Sequence, residues 1–114
     1  ADKKVITHVL INIISNAKEA FTESKGNRII LRSDKDELGF INLRVIDNGI
    51  GISKERIEQI FIPFFSTKET GSGIGLSISR EIMHLHGGTL LVNSKQGRTE
   101  FVLKFNKLLH AIYP

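Results

Sequence analysis

The sequence contains no cysteine, which excludes both a disulfide framework and a thiolate metal site. It also lacks long hydrophobic runs, since no stretch approaches the roughly 20 apolar residues that a membrane-spanning helix requires. The first residues, ADKKVITHV, show neither a long apolar segment nor a small-residue cleavage site, so we expect no signal peptide. Because the chain opens directly in a helical pattern, we expect it to be a fragment of a longer protein.

The charge of the chain is weakly basic and dispersed. Lysine and arginine total 16 against 12 acidic residues, which gives a formal net charge of +4. A nucleic-acid interface concentrates such charge in a basic patch or stripe, and this sequence has no dense basic run with interleaved aromatic residues. We therefore expect a solvated surface, with at most one local anion site, and no nucleic-acid partner. The 40% hydrophobic content suits one compact domain.

Hydrophobic periodicity predicts a mixture of helices and strands. Helical spacing covers 3–22, 73–85, where Ile74, Ile78, Ile82 and Leu85 form an apolar row, and a short segment from 53 to about 60. The segments predicted as strands are 28–33, 40–47, 89–93 and 99–105. This succession predicts helices packed on one face of a mixed sheet.

Three glycines stand two residues apart at the start of the third predicted helix. Gly71, Gly73 and Gly75 follow Lys68 within one short stretch. Backbone N–H groups in a glycine-rich turn form an anion-binding concavity, and the positive end of a following helix dipole strengthens it. The stretch therefore predicts a phosphate site.

Three polar residues fall where the pattern predicts apolar ones. Asn12 and Asn16 share one helix face, and Asn16 lies inside the apolar arc, so either a buried structural amide or a ligand-binding amide is possible. Alternation places Asp47 on the same strand face as the apolar residues before it. A tight turn explains the Asp-Asn-Gly sequence, but it explains neither Gly51 nor the direction of the Asp47 side chain.

Thr99 occupies a similar position on the last strand, on the face of Phe101, Leu103 and Phe105. The high β propensity of threonine also accounts for it. However, a carboxylate acceptor and a hydroxyl in one apolar pocket suit a flat ring with an exocyclic amine, such as adenine. Asn16 could then contribute an oxygen to Mg²⁺, which prefers oxygen ligands.

These residues in this order resemble the ATP-binding domain of sensor histidine kinases, within the superfamily that includes gyrase, heat-shock chaperone and mismatch-repair ATPases. INIISNAKEA (11–20) is similar to its asparagine box and DNGIGI (47–52) to its first glycine box. FIPFFSTK (61–68) is similar to the phenylalanine box, GSGIGLSI (71–78) to the second glycine box, and 86–101 to the closing strands. The PFFSTK and GRTEF forms are most similar to the nitrogen-regulation type of sensor kinase.

The resemblance implies a Bergerat-type α+β fold, in which three helices cover one face of a mixed, mostly antiparallel sheet in a two-layer sandwich. It implies that Asp47 binds the adenine amine with Thr99 nearby. It also implies catalytic roles for Asn16, which holds Mg²⁺, for Asn12, which supports the phosphate end, and for Lys68, which contacts the phosphates. The nucleotide-binding residues implied are Asp47, Gly49, Gly51, Ile52, Phe65, Lys68, Gly71, Gly73, Gly75, Leu76 and Thr99. Residues 61–73 would form a lid.

The chain departs from the family pattern at two residues and one element. Glu19 stands where many members have a basic residue, and Arg98 replaces a usual glycine before Thr99. We also expect no counterpart, within these residues, of the strand that often precedes the asparagine helix.

Position 12 separates kinases from ATPases of this superfamily. ATPase branches place a glutamate there as the general base for water, whereas this chain has Asn12, whose amide has no useful basicity. We therefore expect phosphoryl transfer to a histidine on a dimerisation domain, and a module that hydrolyses ATP is the alternative. None of His8, His84, His86 or His110 lies in a phosphoacceptor motif, so the isolated domain should bind ATP without phosphorylating itself.

The resemblance also sets expectations for the surroundings of the protein. The whole chain, 1–114, would be one catalytic domain, with a response regulator downstream and a homodimer formed only by the full-length kinase. The domain would be cytoplasmic, as part of a bacterial sensor kinase that could be membrane-anchored. A degenerate domain that binds partners without nucleotide is a further alternative, against which the intact glycine boxes argue.

Overall fold

A computed structural model of the chain describes residues 3–21, 26–63 and 75–105. The helices are α1 (Lys3–Glu19), α2 (Lys54–Ile57) and α3 (Gly75–Leu85). The strands are β1 (Ile29–Lys35), β2 (Ile41–Asp47), β3 (Gly88–Lys95) and β4 (Arg98–Phe105). This order is the predicted one, and the ends of the elements coincide with the predicted ends or differ from them by up to three residues.

The four strands form one sheet in the order β1-β2-β4-β3, and each neighbouring pair is antiparallel. Of the helices, α3 packs on β3, and α1 packs on β2 and on α3, while α2 is a single turn. The predicted α+β class is confirmed. Every strand pairing in the described ranges is antiparallel, so a parallel pair, which a mixed sheet requires, does not occur within them.

The hydrophobic core lies between the two long helices and the sheet. Alternate residues of β2 and β4 point toward the helices, because successive side chains of a strand point to opposite faces. The fully buried side chains at its centre are Val9, Ile13, Val45, Met83 and Leu103.

The apolar row predicted along α3 is buried only in part: Ile82 packs against the core, and Ile74 lies outside the described residues. Ile78 is 47% exposed and Leu85 is 76% exposed, whereas Ser79 and Met83 are buried. The helix is oriented so that Ser79 contacts Asn12 on α1. The Met83 methyl group packs against Gly88, where an added Cβ would lie only 2.9 Å from that methyl group. Contacts with two neighbouring elements therefore decide which face of this helix is buried.

The opposite face of the sheet carries a group of ion pairs. Arg44 lies between Asp34 and Glu100, with N–O distances of 2.6 Å and 3.4 Å, and Arg98 contacts Glu100 at 3.6 Å. Arg98, which replaces the family's glycine, points away from the helices, because the next residue, Thr99, points toward them and successive side chains of a strand alternate. None of the described helices combines the length and the hydrophobicity needed to cross a membrane.

Candidate functional site

Asp47 is the last residue of β2, and its carboxylate is buried on the helix side of the sheet. The residue is 3% exposed, and its Oδ1 atom accepts a hydrogen bond of 2.9 Å from the N–H of Gly49. Burial raises the pKa of Asp47 above the usual aspartate value, and the Gly49 bond only partly offsets this effect. A buried acceptor with a raised pKa, placed at the end of a strand, is a candidate ligand-binding group.

The two glycines that follow Asp47 are required by close backbone packing. At Gly49 a Cβ would lie 2.8 Å from the Cβ of Ala20, and the next residue, Ile50, donates its N–H to the carbonyl of Ala20 at 3.1 Å. Gly51 has a φ of +86°, and a Cβ there would meet the carbonyl oxygen of Lys95. The loop is therefore fixed between the end of α1 and the β3–β4 turn, and both glycines have a structural reason besides any ligand.

Asn48 ties the same loop to the chain before β1. Its Oδ1 accepts the N–H of Arg28 and its Nδ2 donates to the carbonyl of Gly26, both at 2.7 Å. The sequence indicated only a turn at this position. These paired amide bonds hold the end of β2, and with it Asp47, in a fixed place.

Thr99 lies beside Asp47, because the two are register partners on β4 and β2. It is 2% exposed, and its hydroxyl is 2.6 Å from the hydroxyl of Ser94. Ser94 also accepts the N–H of Ile52 at 2.8 Å and contacts the carbonyl of Arg98 at 3.3 Å. The predicted pair of Asp47 and Thr99 is thus brought together, and Ile52 contributes its backbone to the same group.

Ser94 is a residue of this group that the sequence pattern did not predict. The strand that contains it was predicted to end at residue 93, whereas β3 continues to Lys95. Alternation would have placed Ser94 on the face of Leu90 and Val92 had the strand been extended by one residue.

The two asparagines of α1 have partners within the protein. Asn12 donates its Nδ2 hydrogen to the Ser79 hydroxyl on α3 at 2.8 Å, and its amide would lie 2.9 Å from a Cβ at Gly75. Asn16 donates from Nδ2 to the backbone carbonyl of Asn12 at 2.9 Å. The hydrogen bond from Asn12 joins α1 to α3 and fixes the start of α3. Asn12 therefore has the role of a structural amide, which is one of the two possibilities that the sequence left open.

The end of α1, one turn beyond Asn16, contacts the loop that follows Asp47. Asn16 is half-buried and lies one helical turn before Ala20, whose carbonyl accepts the N–H of Ile50. The half-buried amide and the buried carboxylate are therefore connected through the end of α1. Glu19, in the last turn of the same helix, is exposed.

The other predicted nucleotide-binding residues divide into two groups. Gly75 begins α3, and Leu76 is half-buried against the core. Those outside the described residues are Phe65, Lys68, Gly71 and Gly73, and so is most of the predicted lid, from 64 to 73.

An aromatic contact joins α3 to the segment after α2. The guanidinium carbon of Arg80 is 4.9 Å from the centre of the Phe61 ring, within the range of a cation–π interaction. Phe61 is also half-buried against the core. The contact was not predicted, although both residues lie in or beside the boxes quoted above.

Comparison with known proteins connects this geometry to one family. The sequence model of the family of histidine kinase-, DNA gyrase B- and HSP90-like ATPases matches residues 1–108 of this chain. The C4-dicarboxylate transport sensor protein DctB of Rhizobium meliloti (strain 1021) is 41% identical over 102 residues, which are 90% of this chain. This chain spans only 16% of the length of DctB.

Two solved structures share the fold. The catalytic domain of the histidine kinase ThkA, in a nucleotide-free form, is 35% identical with a TM-score of 0.80, covering 94% of this chain and 69% of that one. Full-length ShkA in complex with AMPPNP is 28% identical with a TM-score of 0.80, covering 92% of this chain and 22% of that one.

Proposed function

This chain belongs to the family of histidine kinase-, DNA gyrase B- and HSP90-like ATPases, and from this membership we propose that it binds Mg·ATP and donates the γ-phosphoryl group to a histidine on the dimerisation domain of a two-component sensor kinase. The observation that best supports the proposal is the buried Asp47 carboxylate, paired in register with Thr99. The match to sensor proteins such as DctB, and the likeness to ShkA bound to AMPPNP, favour a nucleotide at this site.

The adenine end of the nucleotide would lie against the ends of β2 and β4. The Asp47 carboxylate accepts from the exocyclic amine, and Thr99 lies beside it on the neighbouring strand. Gly49, Gly51 and Ile52 form the adjoining wall, whose backbone is held by Ala20, Lys95 and Ser94. A wall fixed in this way positions the base without reorganisation on binding.

The phosphate end would lie toward α1 and the start of α3. Asn16 donates its amide nitrogen to the α1 backbone and carries a side-chain oxygen, the type of ligand that Mg²⁺ prefers, so in its chemistry the residue fits the ion. Mg²⁺ would neutralise charge on the transferred phosphoryl group. We assign the phosphates to Lys68 and to the backbone at Gly71, Gly73 and Gly75, with Phe65 and Leu76 nearby.

Transfer to a protein acceptor fits the chain better than hydrolysis. The Asn12 amide is not a base, and its nitrogen is engaged by Ser79. Asn12 would instead position the start of α3, and through it the phosphate-binding backbone. Phosphoryl transfer depends mainly on positioning and charge neutralisation, which this arrangement can supply.

The surroundings of the domain follow from the same proposal. Residues 1–114 would be the catalytic domain of a longer cytoplasmic or membrane-anchored kinase, whose histidine domain accepts the phosphoryl group and passes it to a response regulator. Dimerisation would belong to the full-length kinase. The relative named above, a C4-dicarboxylate transport sensor, does not test the similarity to the nitrogen-regulation type, which stays a prediction.

Calorimetry and a transfer assay test the proposal. ATP should bind the chain in the presence of Mg²⁺, and Asn16→Asp should alter the dependence of binding on Mg²⁺ concentration. With γ-labelled ATP the chain alone should retain no stable label, and addition of the histidine-bearing domain of its parent protein should produce a labelled histidine on that domain. Absence of ATP binding would refute the proposal, and rapid phosphate release by the chain alone would favour an ATPase.

A further inference from the structure

Two hydroxyl groups face each other beside the buried carboxylate. Ser94 and Thr99 are register partners on β3 and β4, and Asp47 is the partner of Thr99 on β2. The two hydroxyl oxygens are 2.6 Å apart, which is a short hydrogen bond, and either group could be its donor. The direction of this bond determines what Thr99 can offer to a ligand.

The surrounding partners assign both hydroxyl protons. Ser94 Oγ accepts the N–H of Ile52 at 2.8 Å, and it lies 3.3 Å from the carbonyl oxygen of Arg98, which can only accept. Within the described residues, the Thr99 hydroxyl has no hydrogen-bond partner except Ser94. Every group is satisfied when Ser94 donates to Arg98 and Thr99 donates to Ser94. If Ser94 donated to Thr99 instead, the Arg98 carbonyl would lose its hydrogen bond from Ser94. The Thr99 proton would then have no acceptor among the described residues.

With its proton directed to Ser94, Thr99 presents only oxygen lone pairs on its other side. The ionised Asp47 carboxylate is also an acceptor only. Two acceptors on adjacent strands complement an amino group, which has two N–H bonds, and they oppose a carbonyl oxygen. The pair therefore distinguishes the two common substituents at position 6 of a purine.

We propose that Ser94 is a specificity-determining positioning residue: by binding the Thr99 proton it makes Thr99 an acceptor, so that the site takes a 6-aminopurine nucleotide in preference to a 6-oxopurine one. This inference rests on the nucleotide-binding function proposed above. Ser94 acts through Thr99 and need not touch the base.

The test is calorimetric titration of the chain with Mg·ATP and with Mg·GTP. Wild type should prefer ATP, and Ser94→Ala should lower the ratio of ATP affinity to GTP affinity about tenfold, the size of one ordinary hydrogen bond. The Thr99 proton can then turn toward the base and donate to the carbonyl oxygen of guanine. Ser94→Thr keeps the hydroxyl and should preserve the ratio. Ser33→Ala, at an exposed serine of β1, is the matched control and should change neither affinity.

Four outcomes separate the inference from simpler explanations. Equal losses of ATP and GTP affinity in Ser94→Ala would overturn it, because a purely structural serine supports both nucleotides alike. If that variant does not fold, Thr99→Val removes the acceptor while Ser94 keeps Ile52 and Arg98, and an unchanged ratio there would overturn the inference as well. A wild-type chain that binds ATP and GTP equally refutes the inference alone. A wild-type chain that binds neither refutes the proposed function itself.

Discussion

Replacement of Asp47 by asparagine should weaken ATP binding and stabilise the nucleotide-free fold. The substitution retains an oxygen for the 2.9 Å bond from Gly49 and removes the charge. A hydrogen bond to a charged group contributes about 1.5–3 kcal/mol, so the Kd for ATP should rise roughly 10- to 150-fold. Calorimetric titration of wild type and variant measures this ratio.

The stability effect should depend on pH with a defined sign. Burial raises the pKa of Asp47 above its usual 3.8, so the folded state favours the protonated carboxyl. The stability that Asp47 contributes through this protonation is fully present below the usual pKa. It is lost as the pH rises through the raised pKa of the folded state. Asp47→Asn should therefore gain stability at neutral pH, and the gain should disappear toward pH 4 in urea unfolding experiments.

Asp34→Asn is the matched control on the opposite face of the sheet. The hydrogen bond from Arg44, 2.6 Å from the Asp34 carboxylate, lowers the pKa of this residue. Asp34 therefore contributes stability above its usual pKa that is lost as the pH falls, so this variant should lose stability at neutral pH while ATP affinity stays unchanged. The reasoning fails if Asp47→Asn binds ATP as tightly as wild type, or if its stability differs from wild type by the same amount at every pH.

Four further substitutions test the packing that positions the site. Gly51→Ala combines a φ of +86° with a Cβ against a backbone carbonyl, and should lower the free energy of unfolding by about 1–3 kcal/mol. Asn12→Ala and Ser79→Ala, which remove the two ends of one 2.8 Å hydrogen bond, should show a coupling energy of about 0.5–1.5 kcal/mol in a double-mutant cycle of unfolding. Met83→Ala, at a fully buried side chain, should cost about 2–5 kcal/mol.

Matched variants isolate each of these effects. Gly97 has a φ of +82° with open space around it, so Gly97→Ala should cost less than Gly51→Ala, and equal costs would show that backbone strain alone matters. Leu85→Ala, on the same helix as Met83 but 76% exposed, should change stability little. Additive effects of the Asn12 and Ser79 substitutions would mean that their contact does not hold the helices together.

The sequence alone determined the order of the elements and their class. Helical periodicity and strand alternation depend on residues two to four positions apart, so α1, β2 and β4 could be located closely, and Asp47 and Thr99 could be assigned to the helix side of the sheet. The glycine and asparagine boxes, met in order, also indicated the family before any contact was known.

Only the tertiary structure decided how these groups are held. Asn12 and Ser79 lie 67 positions apart, and Ile52 and Ser94 lie 42 apart, so no local pattern could predict either bond. In the folded chain α3 buries Ser79 and Met83 while Ile78 and Leu85 of its more apolar row stay exposed, and β3 continues beyond Asn93 to include Ser94. A periodic pattern specifies that an element has a buried face, but the shape and polar groups of its neighbours select that face, because buried hydrogen bonds must be satisfied and the core must be filled.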